Sequence, residues 1–489
     1  MTARRLAALA TAAALAGCVV GPRYATPPAP NSAGGPFVSA ASAAAAANQP
    51  VPPLWWRLFN DATLDGLVQR ALTENRDLKV AAANLAYAQA QVDEARAGRY
   101  PTTDLSFGPG WGRTATDVTA GAPASFGWAG AFVAAYQVDL FGRIRRTIQA
   151  ARANAEGLAA TEDATRVTVA AETAAAYANL CGYGRQVAVA RASLGIVQKT
   201  YDLTVQQRDA GALSDFDVER QGVLLEQARA AIPPLEGQRR AAMFSLAALT
   251  GMTPKELPAT IGACQLAPVV TRPLPVGDGT ALLRRRPDLR AAERQLAAAT
   301  YRIGVAAADL YPTVTIGASV SSAASTLAGL VNSSNVAYGV GSQSISTPLV
   351  TWTFPNILVA TARVREARAQ ASSALASFDS AVLTALQEAE TALSTYATEI
   401  DHHAALGAAR TRADTALRLA QAQYRLGSYS FLDLLQAEAT AVAADQALAA
   451  SDQTLAADQV AVFQALGGGW ENAPAVTPPP IAGKTPHIR

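Results

Sequence analysis

The chain has 489 residues, of which 50% are hydrophobic and 16% are charged, and its formal net charge is only +2. This balance provides no strongly basic surface, so the composition excludes nucleic acid as a partner. Much of the apolar fraction is alanine, which is small and favours the α-helix. The composition therefore suits closely packed helical walls better than a globular core.

The N-terminus has the features of a processing signal. Two arginines precede an apolar stretch that is too short to span a bilayer as a permanent helix. The stretch ends in Leu-Ala-Gly-Cys18, which resembles the lipobox of bacterial lipoproteins, where the cysteine becomes an acylated N-terminus. Residues 1–17 are therefore predicted to be a signal peptide and Cys18 to carry lipid such as palmitate. An ordinary secretory signal is the alternative. Val19, where some lipoproteins have aspartate, favours the outer membrane.

The ends of the chain differ in composition from its middle. Residues 18–54 are rich in Pro, Ala, Ser and Gly, which predicts an extended acylated tether lying on a surface. A second Pro-rich segment, residues 471–489, is predicted to be a disordered tail. Between them lie two predicted repeats, residues 55–270 and 271–470.

The repeats are visible as a nearly constant spacing between similar segments. The segment around Asp77 aligns with that around Asp288, an offset of 288 − 77 = 211, and Asp217 aligns with Asp433, an offset of 433 − 217 = 216. A drift of five residues over so long a unit indicates one short insertion. The chain is therefore predicted to be a duplicated architecture in which each copy runs helix, short strands, long helices.

Two pairs of strands are predicted, one pair in each repeat. The candidates span residues 101–112, 126–139, 312–322 and 336–349. Aromatic side chains such as Phe132 and Tyr136 fall on one face, and small or polar residues fall on the other. This alternation is typical of strands with a lipid-facing and a lumen-facing side, and an ordinary soluble hairpin is the alternative. The last candidate alternates less cleanly, which suggests a bulge.

Four strands cannot close a transmembrane barrel by themselves. An open sheet edge would leave backbone N–H and C=O groups unsatisfied in lipid. If these strands span a membrane, the barrel must be shared, with eight strands from two chains or twelve from three. The strand prediction therefore requires an oligomer.

The helices are predicted to be unusually long. Residues 143–210 contain no proline, and a single helix over this range could reach ~100 Å at ~1.5 Å per residue. Gly211 and Gly427 mark the points where long helices turn back, and Pro233-Pro234 interrupts the first returning helix. Paired antiparallel helices with heptad-like spacing resemble the staves of a coiled coil.

Four segments, in the same order on the duplicated frame, are similar to outer membrane efflux lipoproteins, the NodT-type branch of the TolC-like channels. They are Cys18–Tyr24, Asp139–Arg146, Leu283–Arg290, and Arg425–Gly427 with Asp433. The resemblance covers nearly the whole chain after Cys18. It implies a mainly α membrane protein, a homotrimer whose four strands per chain form a twelve-stranded outer-membrane β-barrel. A long periplasmic α-helical barrel continues from that barrel.

The resemblance also implies the function. We expect a passive exit channel for drugs or other small solutes, which contributes to multidrug resistance and acts with a periplasmic membrane fusion adaptor and an inner-membrane RND transporter. No enzyme activity is expected, and no cofactor other than the lipid on Cys18. The alternatives are a type I protein secretion channel, which the lipobox disfavours, and a pore-free periplasmic coiled-coil lipoprotein, which the aromatic strands disfavour.

Asp433 is the leading candidate for a periplasmic gate. It lies in the first turns of a returning helix, so a three-fold assembly would bring three carboxylates into a ring that favours cations. The resemblance implies this position for Asp433 and implies that Tyr424 helps to hold the closed state. Gln436 stands where some relatives have a second carboxylate, which predicts a weaker ring. The alternative is an ordinary helix-start aspartate, the role predicted for Asp217.

The two turns are predicted to be exposed tips that contact the adaptor. The residues concerned are Gly211, Arg425, Leu426, Gly427 and Ser428. The resemblance implies packing against adaptor hairpins, and a simple left-handed glycine turn explains the glycines equally well.

Histidine and cysteine provide few further candidates. His402 and His403 are adjacent, so they point to different helix faces and make a poor metal pair; no metal site is predicted. Cys181 is expected to be a small buried apolar residue, and a disulfide with Cys264 remains open as the alternative.

Overall fold

The structure, a computed structural model, describes residues 19–28, 30–41, 45–46, 49–112, 124–258, 260–340, 350–351 and 356–479. The predicted signal peptide, Cys18 and residues 480–489 lie outside this part. The chain divides into two compact units, each with segments from both predicted repeats. Unit 1 comprises the described residues of Met1–Pro27, Leu85–Leu158 and Ala291–Asp379; unit 2 comprises those of Pro28–Asn84, Ala159–Arg290 and Ser380–Arg489.

The helices dominate the described chain. They are α1 (Ala62–Glu74), α2 (Arg76–Ala97), α3 (Arg143–Asp209), α4 (Asp215–Ala230), α5 (Ile232–Leu249), α6 (Gly279–Arg285), α7 (Pro287–Ala308), α8 (Ile357–Arg425) and α9 (Phe431–Ala465). The proline-free segment is confirmed as the single 67-residue helix α3, and its counterpart α8 has 69 residues. Within the described ranges, none of the helices combines the length and apolarity needed to cross a bilayer.

Local chemistry sets several helix ends. Asp61 caps α1, because its Oδ1 accepts hydrogen bonds from the backbone N–H of Thr63 at 2.8 Å and of Leu64 at 3.0 Å. The break at Pro233-Pro234 is also confirmed, since α4 ends just before it and α5 carries proline in its first turn. Proline is tolerated there because the first turn has no intrahelical partner for its N–H groups.

The strands are β1 (Ala45–Ala46), β2 (Thr102–Gly112), β3 (Ser125–Val138), β4 (Leu274–Pro275), β5 (Thr313–Ala324), β6 (Val336–Val340) and β7 (Val350–Thr351). Five of them form an antiparallel sheet in unit 1. Its order is β2-β3-β5, and both β6 and β7 pair with β5. The first three predicted strands are therefore present. Of the fourth, residues 336–340 form β6, residues 341–349 lie outside the described part, and β7 begins directly after the predicted range.

The register of the fourth strand is irregular. Val314 and Ala318 of β5 are four residues apart, but their partners Val350 and Val340 are ten apart. A regular ladder would keep the two spacings equal. The departure from regular pairing agrees with the uneven alternation in the sequence. Residues 341–349, the larger part of the predicted strand, lie outside the described residues, so the bulge stays a prediction.

The two faces of this sheet differ in chemistry. One row across four strands consists of Leu105, Phe132, Val320 and Tyr338, which are 78%, 45%, 42% and 73% exposed. The neighbouring row on the opposite face is Ser106, Ala131, Ser321 and Ala337. An outward apolar face and a small or polar inner face are the pattern of a membrane β-barrel.

The largest hydrophobic core lies in unit 2. Trp55 is fully buried and its ring stacks on that of Phe463 with centroids 4.9 Å apart. The prediction of a tether on the surface is wrong for the part that precedes Trp55, because Phe37 and Val51 are buried in this core. In addition, β1 pairs in parallel with β4. Apolar side chains and backbone pairing thus fix a segment whose composition suggested an extended linker.

Two further predictions need correction. Cys181 is buried as expected, but it forms a disulfide with Cys264, and their Cα atoms are 4.8 Å apart. The close approach requires Gly184, because a Cβ there would lie 2.1 Å from the carbonyl oxygen of Cys264. The tail was predicted to be disordered from residue 471, yet Ala473 and Val476 pack against the core of unit 2. Their apolar side chains explain the difference.

Candidate gate and hairpin tips

The α3–α4 and α8–α9 connections are two turns of the same design. Gly211 and Gly427 have φ values of +75° and +72°, which L side chains rarely adopt. The following N–H groups close the helix ends, from Ala212 to the Gln207 carbonyl at 2.8 Å and from Ser428 to the Gln423 carbonyl at 2.9 Å. The tip residues, Gly211 and Arg425 to Ser428, are exposed. This confirms the exposed glycine turns; the adaptor contact stays a prediction.

Asp433 forms a capping box with Ser430 at the start of α9. Its Oδ2 accepts hydrogen bonds from the Ser430 hydroxyl at 2.6 Å and from the Ser430 N–H at 3.0 Å, while its own N–H donates to Ser430 Oγ at 3.2 Å. Asp217 and Ser214 make the same box at the start of α4, with a hydroxyl-to-carboxylate distance of 2.7 Å. The helix-start role considered for Asp433 is therefore present in the structure.

The same contacts set the charge of Asp433. Hydrogen bonds from the Ser430 hydroxyl and then from the Ser430 backbone hold the pKa of the Asp433 carboxyl below its usual range. The side chain is exposed, so each chain presents one carboxylate at this turn near neutral pH. Gln436, one helical turn further, is also exposed but carries no charge. Capping and a carboxylate ring are thus compatible roles.

Tyr424 joins the two hairpins of unit 2. Its hydroxyl donates a hydrogen bond to Gln207 Oε1 on α3 across 2.7 Å. Its ring lies 5.9 Å from that of Phe431, in a small apolar cluster that includes Leu434 and Leu435. The end of α8 is therefore fixed to α3 and to the start of α9. The partner Gln207 was not identified from the sequence.

Glu438 is a second residue that the sequence reasoning missed. Phe431, Leu434, Leu435 and Ala441 form a buried stripe on α9, and Glu438 occupies a position of that stripe with only 2% of its surface exposed. The Thr200 hydroxyl donates to its carboxylate at 3.2 Å, and burial raises its pKa. The available signal was a charged residue at the i+7 position of an apolar helix face.

Both tips expose apolar side chains. At the α8–α9 tip, Leu426 is 76% exposed and Tyr429 50% exposed, and at the α3–α4 tip Phe216 is 68% exposed. The α3–α4 tip also has an exposed charge cluster, in which Arg208 pairs with Asp209 at 2.7 Å and with Asp215 at 3.4 Å. Both tips are thus suited to apolar contacts, and the α3–α4 tip also offers charged ones.

The adjacent histidines have separate partners. His402 Nδ1 lies 3.1 Å from Glu399, and His403 Nε2 lies 2.7 Å from Asp452. Within the part of the chain that the structure describes, no group of three His, Cys, Asp or Glu residues could hold a metal ion.

Comparison with known proteins identifies the family. The model of the outer membrane efflux protein family matches residues 67–252 and 280–468, one match in each predicted repeat. The chain belongs to this family. Nodulation protein T of Rhizobium leguminosarum bv. viciae is 31% identical over 479 residues, which cover 97% of this chain and 95% of that protein. Outer membrane protein OprJ of Pseudomonas aeruginosa is 30% identical, with coverage of 95% and 96%.

A solved structure agrees with this efflux family assignment. The outer-membrane channel OprN superposes with a TM-score of 0.84 at 35% identity, over 93% of this chain and all of that chain. The resemblance seen in the sequence is confirmed, and with it the mainly helical fold carrying a β domain. This efflux protein is an exit channel located in the outer membrane.

Proposed function

We propose that three copies of this efflux protein share one twelve-stranded barrel and passively conduct drugs or other small solutes from the periplasm to the exterior. The observation that carries the proposal is the sheet of unit 1. It has an apolar face and an opposite face of small and polar residues, and among the described residues its edges at β2 and at β6 with β7 are open. Joining the edges of neighbouring chains satisfies the backbone groups that lipid cannot.

The partners follow from the family resemblance. Relatives include the toluene efflux pump outer membrane protein TtgC of Pseudomonas putida, 29% identical to this chain. We infer that a periplasmic adaptor connects the channel to an inner-membrane RND transporter, which supplies the energy. The channel itself performs no chemical step in this proposal. Type I protein secretion is the alternative use of such an exit channel.

The periplasmic gate is proposed at the helix hairpins. Three Asp433 carboxylates would form a ring that favours cations, and Gln436 would leave that ring as the main charge at this level. Tyr424 would hold α8 against α3 through Gln207 when the channel is closed. The exposed charge of Asp433 supports the first role, and the hydrogen bond across the two hairpins supports the second.

Adaptor docking is proposed at the tips. Gly211 and the Arg425-Leu426-Gly427-Ser428 turn are exposed, and a Cβ placed on Gly211 or Gly427 would have open space within 4 Å in the described part of the chain. Leu426 is the most exposed apolar side chain there, so it is the natural anchor for an apolar partner. A Leu426→Ser variant should insert and conduct normally but lose drug export in cells, whereas intact export would contradict adaptor docking at Leu426.

Lipid attachment is proposed at Cys18. The Val20 N–H donates to the Phe141 carbonyl at 3.2 Å, and Arg146 donates through Nε to the Val20 carbonyl and through Nη2 to the Gly21 carbonyl, both at 3.3 Å. These contacts hold the segment after Cys18 beside the end of β3. A Cys18→Ser variant should lose the acyl label and still insert through its barrel; complete loss of insertion would contradict that.

Conductance tests the channel directly. Purified protein added to a planar lipid bilayer should give stepwise ionic currents at applied voltage. A scaffold without a pore would give none, and the absence of current from a correctly assembled preparation would contradict the proposed function. A secretion channel would also conduct, so sensitivity of a deletion strain to small toxic compounds separates the two.

A further inference from the structure

A cavity of about 610 Å³ lies in unit 2, where α3, α8, α9 and the start of α7 meet. Its size falls in the ~300–1,000 Å³ range of sites for small organic ligands. Hydroxyl and amide side chains contribute to its wall, among them Thr168, Gln387, Thr391 and Thr395. The gate and tip residues do not line it.

Most of the cavity wall comes from helix positions outside the hydrophobic core, and Ala392 lines the cavity as well as packing against that core. On α8, Glu388, Thr391 and Thr395 line the cavity, whereas the core contains Ala389, Leu393 and Tyr396. On α9, Asp458 and Ala461 line it, whereas the core contains Ala456, Val460 and Phe463. In the proposed helical barrel, the helix face opposite this core is the one available to the lumen. This placement of the cavity at the lumen rests on the proposed channel function.

The cavity carries negative charge. Its wall includes one cation, Arg286, and three carboxylates, those of Asp288, Glu388 and Asp458, which gives a formal net charge of −2. The guanidinium is fully engaged, since Nη2 donates to Asp288 at 2.8 Å and to Glu388 at 2.7 Å, and Nη1 donates to the Ala465 carbonyl at 2.9 Å. Because these partners engage the guanidinium, Arg286 does not compete with a bound cation for the charge of Asp458.

Asp458 is the carboxylate that lacks compensation. Its Oδ2 is buried and has no hydrogen-bond partner among the described residues. Burial and then the neighbouring Glu399 carboxylate raise its pKa to about 6. Glu399 is itself held by Ser451 and His402, and the α3 wall adds only Ala164, Val167 and Thr168. A bound cation would offset the repulsion and the lost hydration.

We propose that this cavity is a binding site for organic ammonium ions in transit through the channel, with Asp458 as its charged contact. The hydroxyl-bearing wall and the organic-ligand volume favour a drug-sized cation over a bare metal ion. A trimer would carry three such sites, and they would make amine-bearing compounds a preferred substrate class. The site would hold them weakly, because exit requires release.

Binding of ethidium, a permanently charged organic cation, tests the site on purified full-length protein in detergent. Fluorescence anisotropy at pH 8 should show saturable binding. Asp458→Asn should weaken it by at least about tenfold, the scale of a hydrogen bond to a charged group. Asp401→Asn, an exposed carboxylate on α8 that does not line the cavity, is the matched control and should bind normally. The anion fluorescein should not bind.

The pH dependence of ethidium binding distinguishes binding at Asp458 from nonspecific attraction to other negative charges of the protein. Ethidium keeps its charge, so binding should weaken as pH falls through about 6, where Asp458 takes up a proton. Glu399→Gln removes a cause of the raised pKa, so the midpoint should move to lower pH while binding at pH 8 persists. If Asp458→Asn fails to assemble, Asp458→Glu provides the test in its place. It keeps the charge and should retain ethidium binding.

Unchanged affinity in Asp458→Asn, equal binding of fluorescein, or a flat pH profile would each overturn the site. The same preparations are tested for ionic current. A conducting channel without Asp458-dependent binding would overturn the site and leave the channel function intact. Asp458-dependent binding in a preparation that never conducts would support the site and contradict the proposed channel.

Discussion

Tyr424 donates a hydrogen bond to Gln207 Oε1 across 2.7 Å, which joins the last turn of α8 to the last turn of α3. The two residues belong to different predicted repeats, 217 positions apart in the chain. Movement of α8 relative to α3 at this level must break this bond. The pair is therefore the most specific structural element of the proposed gate.

Tyr424→Phe should increase leak current at low voltage in planar bilayers. The change removes the hydroxyl donor and leaves Gln207 without it, which weakens the closed arrangement by about 1 kcal/mol. Gln207→Leu should have a similar effect, and the double variant should leak no more than the stronger single variant. Tyr429→Phe, at an exposed tyrosine of the neighbouring turn, is the control. Additive leak would show that the pair does not act as one unit.

Asp433→Asn should reduce the preference for cations over anions, measured as a reversal potential in a salt gradient. Asp217→Asn is a closely matched control, because both residues make the same capping box but only Asp433 is predicted to face a constriction. Both variants lose a favourable capping carboxylate, so their effect on helix stability should be similar. Identical selectivity in the two variants would leave Asp433 with a capping role only.

The lowered pKa of Asp433 also predicts a pH dependence. Its capping contribution is present above the ordinary aspartate pKa and is lost as pH falls through the lower pKa of the folded state. Repulsion among three neighbouring carboxylates in the proposed ring acts in the opposite direction and raises the pKa. Cation preference that persists below ~3.9, the ordinary aspartate value, would mean that the capping hydrogen bonds outweigh this repulsion, and loss at a higher pH would mean that the repulsion outweighs them.

Glu438→Gln should stabilise the protein at pH 8. Burial raises the pKa of Glu438, so folding favours the protonated form, and the folded state becomes less stable as pH rises from the ordinary value of ~4.3 through the raised one. Glutamine keeps the shape and acceptor without the charge. The gain in melting temperature should shrink as pH is lowered below about 4. A gain that is independent of pH would mean that charge is not the cause.

Removal of the disulfide should lower stability. Cys181 and Cys264 enclose a separation of 83 residues, and loss of such a bond typically costs about 2–4 kcal/mol. Cys181→Ala and the double alanine variant should unfold at lower denaturant concentration, by a similar amount. Labelling of unreduced protein with a thiol reagent should leave both cysteines unmodified. Free thiols in protein isolated from the outer membrane would contradict the pairing.

Much of the fold could be predicted because its signals are local. The absence of proline predicted α3, the alternation around Phe132 predicted β3, and the two turn glycines predicted the hairpins. Other features depend on distant segments that meet only after folding. The disulfide depends on the path of the loop after α5, and the burial of Phe37 depends on the core that receives it.

The candidate site was predictable to a similar extent. Asp433 and Tyr424 were identified from their positions near the turn, but the symmetric capping boxes showed that Asp217 has the same local chemistry. Glu438 left a signal in the sequence, a charge within an apolar stripe, whereas the surroundings of Asp458 did not. Its raised pKa arises first from burial and then from Glu399 on another helix, and no spacing within α9 indicates either surrounding.

The native mass of the detergent-solubilised protein tests directly whether three chains share one barrel. Light scattering that separates protein from detergent gives the number of chains without assuming a shape. A mass of three chains is the result expected for a shared twelve-stranded barrel. A mass of two chains would contradict the trimer, and a clean monomer would contradict a shared barrel altogether, because four strands alone cannot close in lipid.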